Sequence, residues 1–314
     1  MTSQSQVSVI ICTHNPRSDY LRRVLDALKV QTLTKDQWEL LLIDNGSIES
    51  LADQWDLSWH QHARHIREDE LGLTPARLRG IMEGKSELLV FVDDDNVLDC
   101  HYLEIALELA KRFPHIGAFN GSTEGEFEAD APTHLSSYVE ELGNLVLDRD
   151  YWTNLPGKSK ATPIGAGICV RRNVAEDYAV KTKNASLRKI LGRSGNVLLS
   201  GEDFDLAWCA IDAGMGTARF KDLKLTHLIP QRRMTEEYII RLYAGYAASN
   251  VILAAIRPAF YNRPSAAWKA NIRFLLNYLR SSKIQRKILI ASRKACREAL
   301  QLVQTAKNGW EIDR

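Results

Sequence analysis

The sequence has 314 residues, 45% of them hydrophobic and 25% charged, with a formal net charge of +2. Such values exclude a wholly disordered, collagen-like or disulfide-scaffold chain. Five cysteines (Cys12, Cys100, Cys169, Cys209, Cys296) include no CxxC pair, which favours reduced thiols in a cytoplasmic protein over a disulfide frame or a zinc site. The start has no basic segment followed by an apolar one, and no run reaches the ~18 uninterrupted apolar residues of a spanning helix, so neither a signal peptide nor a membrane span is expected.

Residues 7–12 are short, apolar and β-branched, which reads as a strand running into the polar turn Thr13, His14, Asn15, Pro16. Leu21, Val24, Leu25 and Leu28 follow at helical spacing. Residues 39–43 read as a second strand that ends in the turn Asp44, Asn45, Gly46, Ser47, and Ile66 begins a weak third. Thr74 and Pro75 suit the N-cap and first position of a helix. Residues 88–92 are a fully apolar strand leading into Asp93, Asp94 and Asp95, and residues 102–113 form an amphipathic helix closed by Pro114. Strands alternating with helices predict an α/β fold, a mostly parallel sheet covered on both faces. Ligands of such sheets sit beyond the carboxyl ends of the strands, so His14, Asp44 and the three aspartates should share one crevice.

Residues 121–163 read as looser, 164–170 as a strand with a Gly-rich entrance, and 181–200 as a polar, basic, mobile loop. Glu202 and Asp203 open a helix ended by Gly214, and residues 220–229 form a last strand containing His227. Helices are expected over 236–256, 266–279 and 284–304, with Pro258 and Pro264 marking a break. The expected division is a catalytic unit over residues 1–235 and a helical region over 236–314.

Three adjacent carboxylates repel one another unless a cation or strong donors compensate, and helix capping accounts for only one of them. A hard divalent cation, Mn²⁺ or Mg²⁺, suits such oxygens and usually bridges them to substrate phosphates. The turn from Asp44 to Ser47 offers short polar groups for a base or ribose. No GxGxxG follows the first strand and no GxxxxGK[ST] is present, which counts against a dinucleotide cofactor and excludes a P-loop. Arg77 and Arg79 near a helix start are either solvated charge or bidentate phosphate donors. Glu202 and Asp203 either complement a helix dipole or supply a general base. His227 is structural or joins a metal's oxygen ligands.

Residues 7–15, 42–47, 72–80, 91–96 and 201–206 resemble, in order, the opening strand, VDDGS turn, GxxxARNxG segment, DxD motif and GEDxDL segment of the family-2 glycosyltransferases. The resemblance covers about residues 6–235 and implies a GT-A fold and an inverting, metal-dependent transfer from a nucleoside-diphosphate sugar to an acceptor hydroxyl. It implies that Thr13, His14, Asn15, Asp44 and Asn45 hold the nucleoside, that Arg77 serves the phosphates, and that Asp93 or Asp94 contacts the ribose. Asp95 would bind Mn²⁺ or Mg²⁺ with His227 as a further ligand. Gly165, Ala166 and Gly167 would border the sugar, and Asp203, with Glu202 beside it, would be the base. Cys12 and His14 stand where the family commonly has Pro and Tyr, Leu78 where it often has Asn, and Asn45 where it often has a second Asp. A uridine donor is favoured, with thymidine and guanosine open. Two rivals share a carboxylate-rich strand end. The retained Glu202 and Asp203 count against a non-catalytic sugar-nucleotide-binding protein, and the lack of a basic Gly-rich N-terminal loop counts against a metal-dependent nucleotidyltransferase.

The net charge conceals a split. Residues 1–237 carry a net of −9, while residues 238–297 hold 12 Lys and Arg and no acid. Interleaved aromatics such as Tyr243, Tyr246 and Phe274 leave two readings of this basic region open, a helical cap solvated on one side or a surface for an anionic membrane; nucleic acid is disfavoured because the front is acidic. The membrane reading would suit a lipid-linked or glycan acceptor and a peripheral place at the inner face of the membrane.

Overall fold

The computed structural model describes residues 5–193, 198–261 and 267–312. The chain opens with β1 (Val7–Thr13), α1 (Ser18–Lys29), β2 (Trp38–Asn45), α2 (Leu51–Gln54), β3 (Ala63–Glu68), α3 (Leu73–Glu83) and β4 (Leu88–Asp93). It continues through β5 (Asn96–Leu98), α4 (Tyr102–Arg112), β6 (Ile116–Phe127), α5 (Ser136–Gly143), β7 (Tyr151–Thr153) and β8 (Cys169–Arg171). Then come α6 (Arg172–Lys183), α7 (Ser186–Lys189), α8 (Glu202–Asp212) and β9 (Gly216–Ile229), and last α9 (Glu236–Ile256), α10 (Ala267–Arg280) and α11 (Lys283–Ile312).

Among the described residues nine strands form one sheet in the order β3-β2-β1-β4-β8-β6-β9-β5, with β7 also on β9. β1, β2, β3 and β4 run parallel, as do β6 and β9, and β8 lies antiparallel between β4 and β6. The expected α/β architecture is present, and period-2 alternation explains its burial. Val9, Ile11, Leu40, Leu42, Val90 and Val92 face Leu21, Leu25 and Leu28 of α1 and Leu103 of α4. Ile10, Leu41, Ile43, Leu89 and Phe91 face Ile81 of α3, Val174 and Tyr178 of α6 and Leu206 of α8. Strands covered on both faces need continuous apolar runs, and these have them.

Several boundaries differ from the sequence reading. β3 starts at Ala63 rather than Ile66. The cap of α3 is Gly72, at φ 133°, so Thr74 lies inside the first turn. The stretch 121–163 is more ordered than its composition suggests, since it holds most of β6, all of α5 and β7. Polar Asn120, Ser122 and Thr123 of β6 are buried; Asn120 donates to the Ile164 and Ala166 carbonyls and Ser122 to the Lys221 carbonyl, and the pairing with β9 shifts register at Gly121 and Ser122. A Cβ at Gly121 would collide with the Leu223 carbonyl, so this strand needs a residue that reads as a loop signal. The strand expected over 164–170 is reduced to β8, and the loop expected over 181–200 holds the end of α6 and all of α7; its residues 194–197 lie outside the described residues. β9 starts four residues before Phe220, and α11 extends beyond Gln304.

From Glu236 on the described elements are helical. Contrary to the sequence reading, α9 is long and apolar enough to cross a membrane by length and composition. It is packed, however: only Glu237, Arg241 and Tyr246 are exposed along it. Ile239 joins Ile284 and Ile288 of α11 and Val139 of α5, and Ile252 and Leu253 join Trp208 of α8 and Val303 of α11.

Candidate active site

The turns after β1 and β2 are laced together at the carboxyl ends of the strands. His14 Nδ1 lies 2.7 Å from the Asn45 carbonyl, and the Asn15 amide donates to Ser47 Oγ at 2.9 Å. Asn15 returns the contact, its Oδ1 accepting from the Ile48 amide at 2.9 Å. It adopts φ 47°, a left-handed conformation that Asn tolerates. Asp44 is buried and accepts from the Ser47 and Leu51 amides and from Arg67 at 2.8 Å. Burial opposes its charge, but those donors outweigh it and hold the carboxyl below its usual range. The Asn45 side chain donates to the Glu68 and Glu70 carbonyls and accepts from the Gly72 amide, which ties β2 to the start of α3.

The three aspartates after β4 have three different settings. Asp93 is half-exposed and lies 3.6 Å from Arg77. Asp94 accepts from the Thr13 hydroxyl; burial and the neighbouring Asp95 push its pKa up to about 7. Asp95 is buried, and burial opposes its charge, but Arg233 at 3.0 Å and His227 at 3.5 Å hold it well below the usual carboxylate range. His227 reaches this point because β5 pairs with β9 in a register that sets Asn96 opposite His227.

Arg77, expected beside phosphates, is buried, and its guanidinium donates to Glu202 Oε1 at 2.8 Å. Burial works against its charge, but Glu202, Asp93 and Asp203 outweigh it and keep it protonated. Burial in turn pushes Glu202 upward against the pull of Arg77. Arg77 therefore clamps the end of β4 to the start of α8. Arg79 instead pairs with Glu83 one turn along α3 at 3.0 Å, a half-exposed contact.

Asp203 Oδ2 accepts from the Gly165 amide at 2.9 Å, so the Gly165, Ala166, Gly167 segment lies against the first turn of α8. Asn120 donates to the Ala166 carbonyl and the Tyr102 hydroxyl to the Gly167 carbonyl at 2.6 Å. A Cβ at Gly165 would come within 3.0 Å of Arg77, so glycine keeps this approach open. Cys12 pairs in register with Asp93, and its thiol is pushed up to about 12 by burial.

The structure thus gathers Thr13, Asp93, Asp94, Asp95 and His227 on one side, and Arg77, Glu202, Asp203 and Gly165 on the other, with Arg77 joining the two. Sequence reasoning missed Arg233 and Arg67, which neutralise Asp95 and Asp44. The one available signal for Arg233 was its place six residues beyond His227. Another acidic set, Asp177, Cys209 and Asp212, has ligand atoms within 4.8 Å of one another, but Lys181 and Arg257 already neutralise it.

Residues 8–178, over half of the chain, match the family model for glycosyl transferase family 2. The chain belongs to that family. This family-2 glycosyltransferase is 27% identical over 212 residues to glycosyltransferase AglE of Haloferax volcanii, covering 66% of this chain and 62% of that protein. Over 109 residues it is 30% identical to the cholesterol galactosyltransferase of Borreliella burgdorferi, covering 34% of this chain and 29% of that protein. It therefore spans less than two thirds of either relative. Among solved structures it is similar to S. aureus TarS 1-349, with a TM-score of 0.53, 14% identity and coverage of 94% of this chain and 91% of that one. The same protein in complex with UDP-GlcNAc gives a TM-score of 0.54 at 13% identity, covering 94% and 92%. The shared architecture is the GT-A fold.

Proposed function

We propose that this glycosyltransferase moves a sugar from a UDP-sugar to an acceptor hydroxyl with inversion, assisted by a divalent metal, and that the acceptor belongs to a glycan or a lipid-linked glycan. The single observation that carries this reading is the clamp by which Arg77 joins Asp93 to Glu202 while Asp203 meets Gly165. It sets donor-type carboxylates and base-type carboxylates at one place in a family-2 chain. The complexes of TarS with UDP and UDP-GlcNAc support uridine as the donor's base.

In this reading Thr13, His14, Asn15, Asp44 and Asn45 shape the nucleoside end. Asp44 and Asn45 act through the backbone they hold, because their polar atoms are already engaged. Asp93 and Asp94 take the ribose side. Asp203 accepts the proton of the acceptor hydroxyl as its oxygen attacks the anomeric carbon, and the bond to the diphosphate breaks with its electron pair on the leaving group. Arg77 fixes Glu202 beside Asp203 and offsets part of the carboxylate charge next to Gly165. Asp95 and His227 fit Mn²⁺ or Mg²⁺ by their chemistry, an ionised carboxylate and an imidazole 3.5 Å apart at a strand end. A metal there would supply charge stabilisation to the departing diphosphate. Arg233 now contacts both Asp95 at 3.0 Å and His227 Nε2 at 3.1 Å, and a metal would take the place of both contacts.

A thermal-shift screen with nucleoside diphosphates and UDP-sugars, with and without Mn²⁺, tests the donor. A ligand that binds only the folded state raises its melting temperature. UDP with Mn²⁺ should raise it, and UDP alone should do less. Equal, negligible shifts for all nucleotides would sink the donor assignment.

A further inference from the structure

The helix α10 turns an apolar stripe to solvent. Ile272, Leu275, Leu276 and Leu279 recur at helical spacing on one face and are 51%, 56%, 46% and 62% exposed. Its other side is fastened to α11. Phe274 and Tyr278 are half-buried there, with the guanidinium of Arg293 4.4 Å from the Phe274 ring and that of Arg286 5.3 Å from the Tyr278 ring. Arg293 also donates to Asn271 at 2.7 Å and Arg286 to the Tyr278 carbonyl at 3.0 Å. The helix is thus held so that four aliphatic side chains stay outward.

Cations rim this stripe. Arg273 and Arg280 are exposed on α10 and Lys283 at the start of α11, where Lys287 pairs with Glu236. No acid occurs anywhere from residue 238 to 297. Contiguous exposed aliphatic side chains mark a contact surface, and the charge around them selects the occupant. A second copy seated on this face would bring two acid-free basic regions together, which like-charge repulsion opposes. An anionic lipid surface satisfies both features, taking the aliphatic groups at the acyl boundary and the cations among the headgroups.

We propose that α10 is an in-plane membrane anchor that lays Ile272, Leu275, Leu276 and Leu279 into the headgroup boundary of an anionic bilayer. This goes beyond the transfer reaction and does not depend on it, so it is tested without nucleotide. The full chain is sedimented with vesicles of phosphatidylcholine containing phosphatidylglycerol, and with pure phosphatidylcholine, at low and high salt. The chain should bind the anionic vesicles, bind neutral ones far less, and lose binding as salt rises. Combining Leu275→Ser, Leu276→Ser and Leu279→Ser should weaken binding by at least about tenfold, since each removes apolar burial in the interface. Their circular dichroism should be unchanged, because these side chains are exposed. Arg273→Gln with Arg280→Gln should weaken the salt-sensitive part. In Leu275→Trp, the new indole should shift its emission to the blue on anionic vesicles. Wild type that stays in the supernatant, serine variants that bind as well as wild type, or an unshifted indole would each overturn the proposal. So would a dimer in solution that the serine substitutions convert to monomer, which would assign the stripe to a second copy.

Discussion

Asp94 and Asp95 are adjacent in sequence and opposite in charge behaviour. Two neighbouring carboxylates cannot both ionise cheaply in a buried place. The fold separates them by giving Asp95 the cationic Arg233 and leaving Asp94 with the Thr13 hydroxyl, so the first is held low and the second rises to about 7. Another residue has a measurable consequence for stability. His60 is buried 4.1 Å from the Trp38 ring, and its Nδ1 accepts from the His62 amide at 3.1 Å, which requires the neutral ring. Burial lowers its pKa from 6.5 to about 4. Between those values the unfolded chain binds the proton that the folded chain refuses, so stability falls as pH drops from 6.5 towards 4. The loss should be on the order of 2 kcal/mol by denaturant titration. His60→Asn keeps an acceptor for the His62 amide and has no such proton to gain, so its stability should vary less over this window. An unchanged slope in the variant would show that His60 is not the source. At this scale the sequence made the aspartate run legible because three like charges at a strand end demand a partner. It did not show which partner is present, because Arg233 lies 138 residues away and meets Asp95 only through the fold.

The strands β1, β2 and β4 were legible because they are buried on both faces and so must be apolar throughout. β6 was not, since Gly117, Gly121 and Gly125 serve close approaches to Ala210, Leu223 and Phe127, and its buried polar Asn120 and Ser122 find carbonyl partners far away in the sequence. The helix α8 shows how one element can carry two tasks. Its first turn presents Glu202 and Asp203 to the site, while Asp205, fully buried, faces the opposite way and holds Arg257 at 2.5 Å and Arg188 at 2.7 Å. Arg257 follows α9 and also meets Asp212, so this network fastens the helical region to the sheet-bearing part. Asp205→Asn leaves the buried Arg257 and the partly buried Arg188 short of charge. It should cost about 3–5 kcal/mol of unfolding free energy. Urea titration of the purified variant checks this, and a loss under about 1 kcal/mol would show that solvent or Asp212 compensates. The sequence suggested a dipole-complementing or catalytic acid at this helix start, but an inward-facing carboxylate with a distant arginine partner has no local pattern.

Across the whole molecule, charge and architecture divide at the same point. The acidic α/β front belongs to a glycosyltransferase family, and the helical region behind it, acid-free from residue 238 to 297, turns cations and an aliphatic stripe outward. The charge split was legible in the sequence, whereas the exposure of the stripe was not, because apolar residues of the neighbouring α9 such as Ile239, Ile252 and Leu253 pack inward. In the proposed reaction the carboxylates joined through Arg77 carry out sugar transfer, with Asp203 as the base. The most direct test measures labelled sugar released from UDP-sugars in the presence of Mn²⁺ by wild type and by Asp203→Asn, together with UDP binding by both. Asp203→Asn preserves shape and removes proton acceptance, so UDP binding should persist while turnover falls by about 10²-fold or more. Turnover by the variant at the wild-type rate would contradict the account.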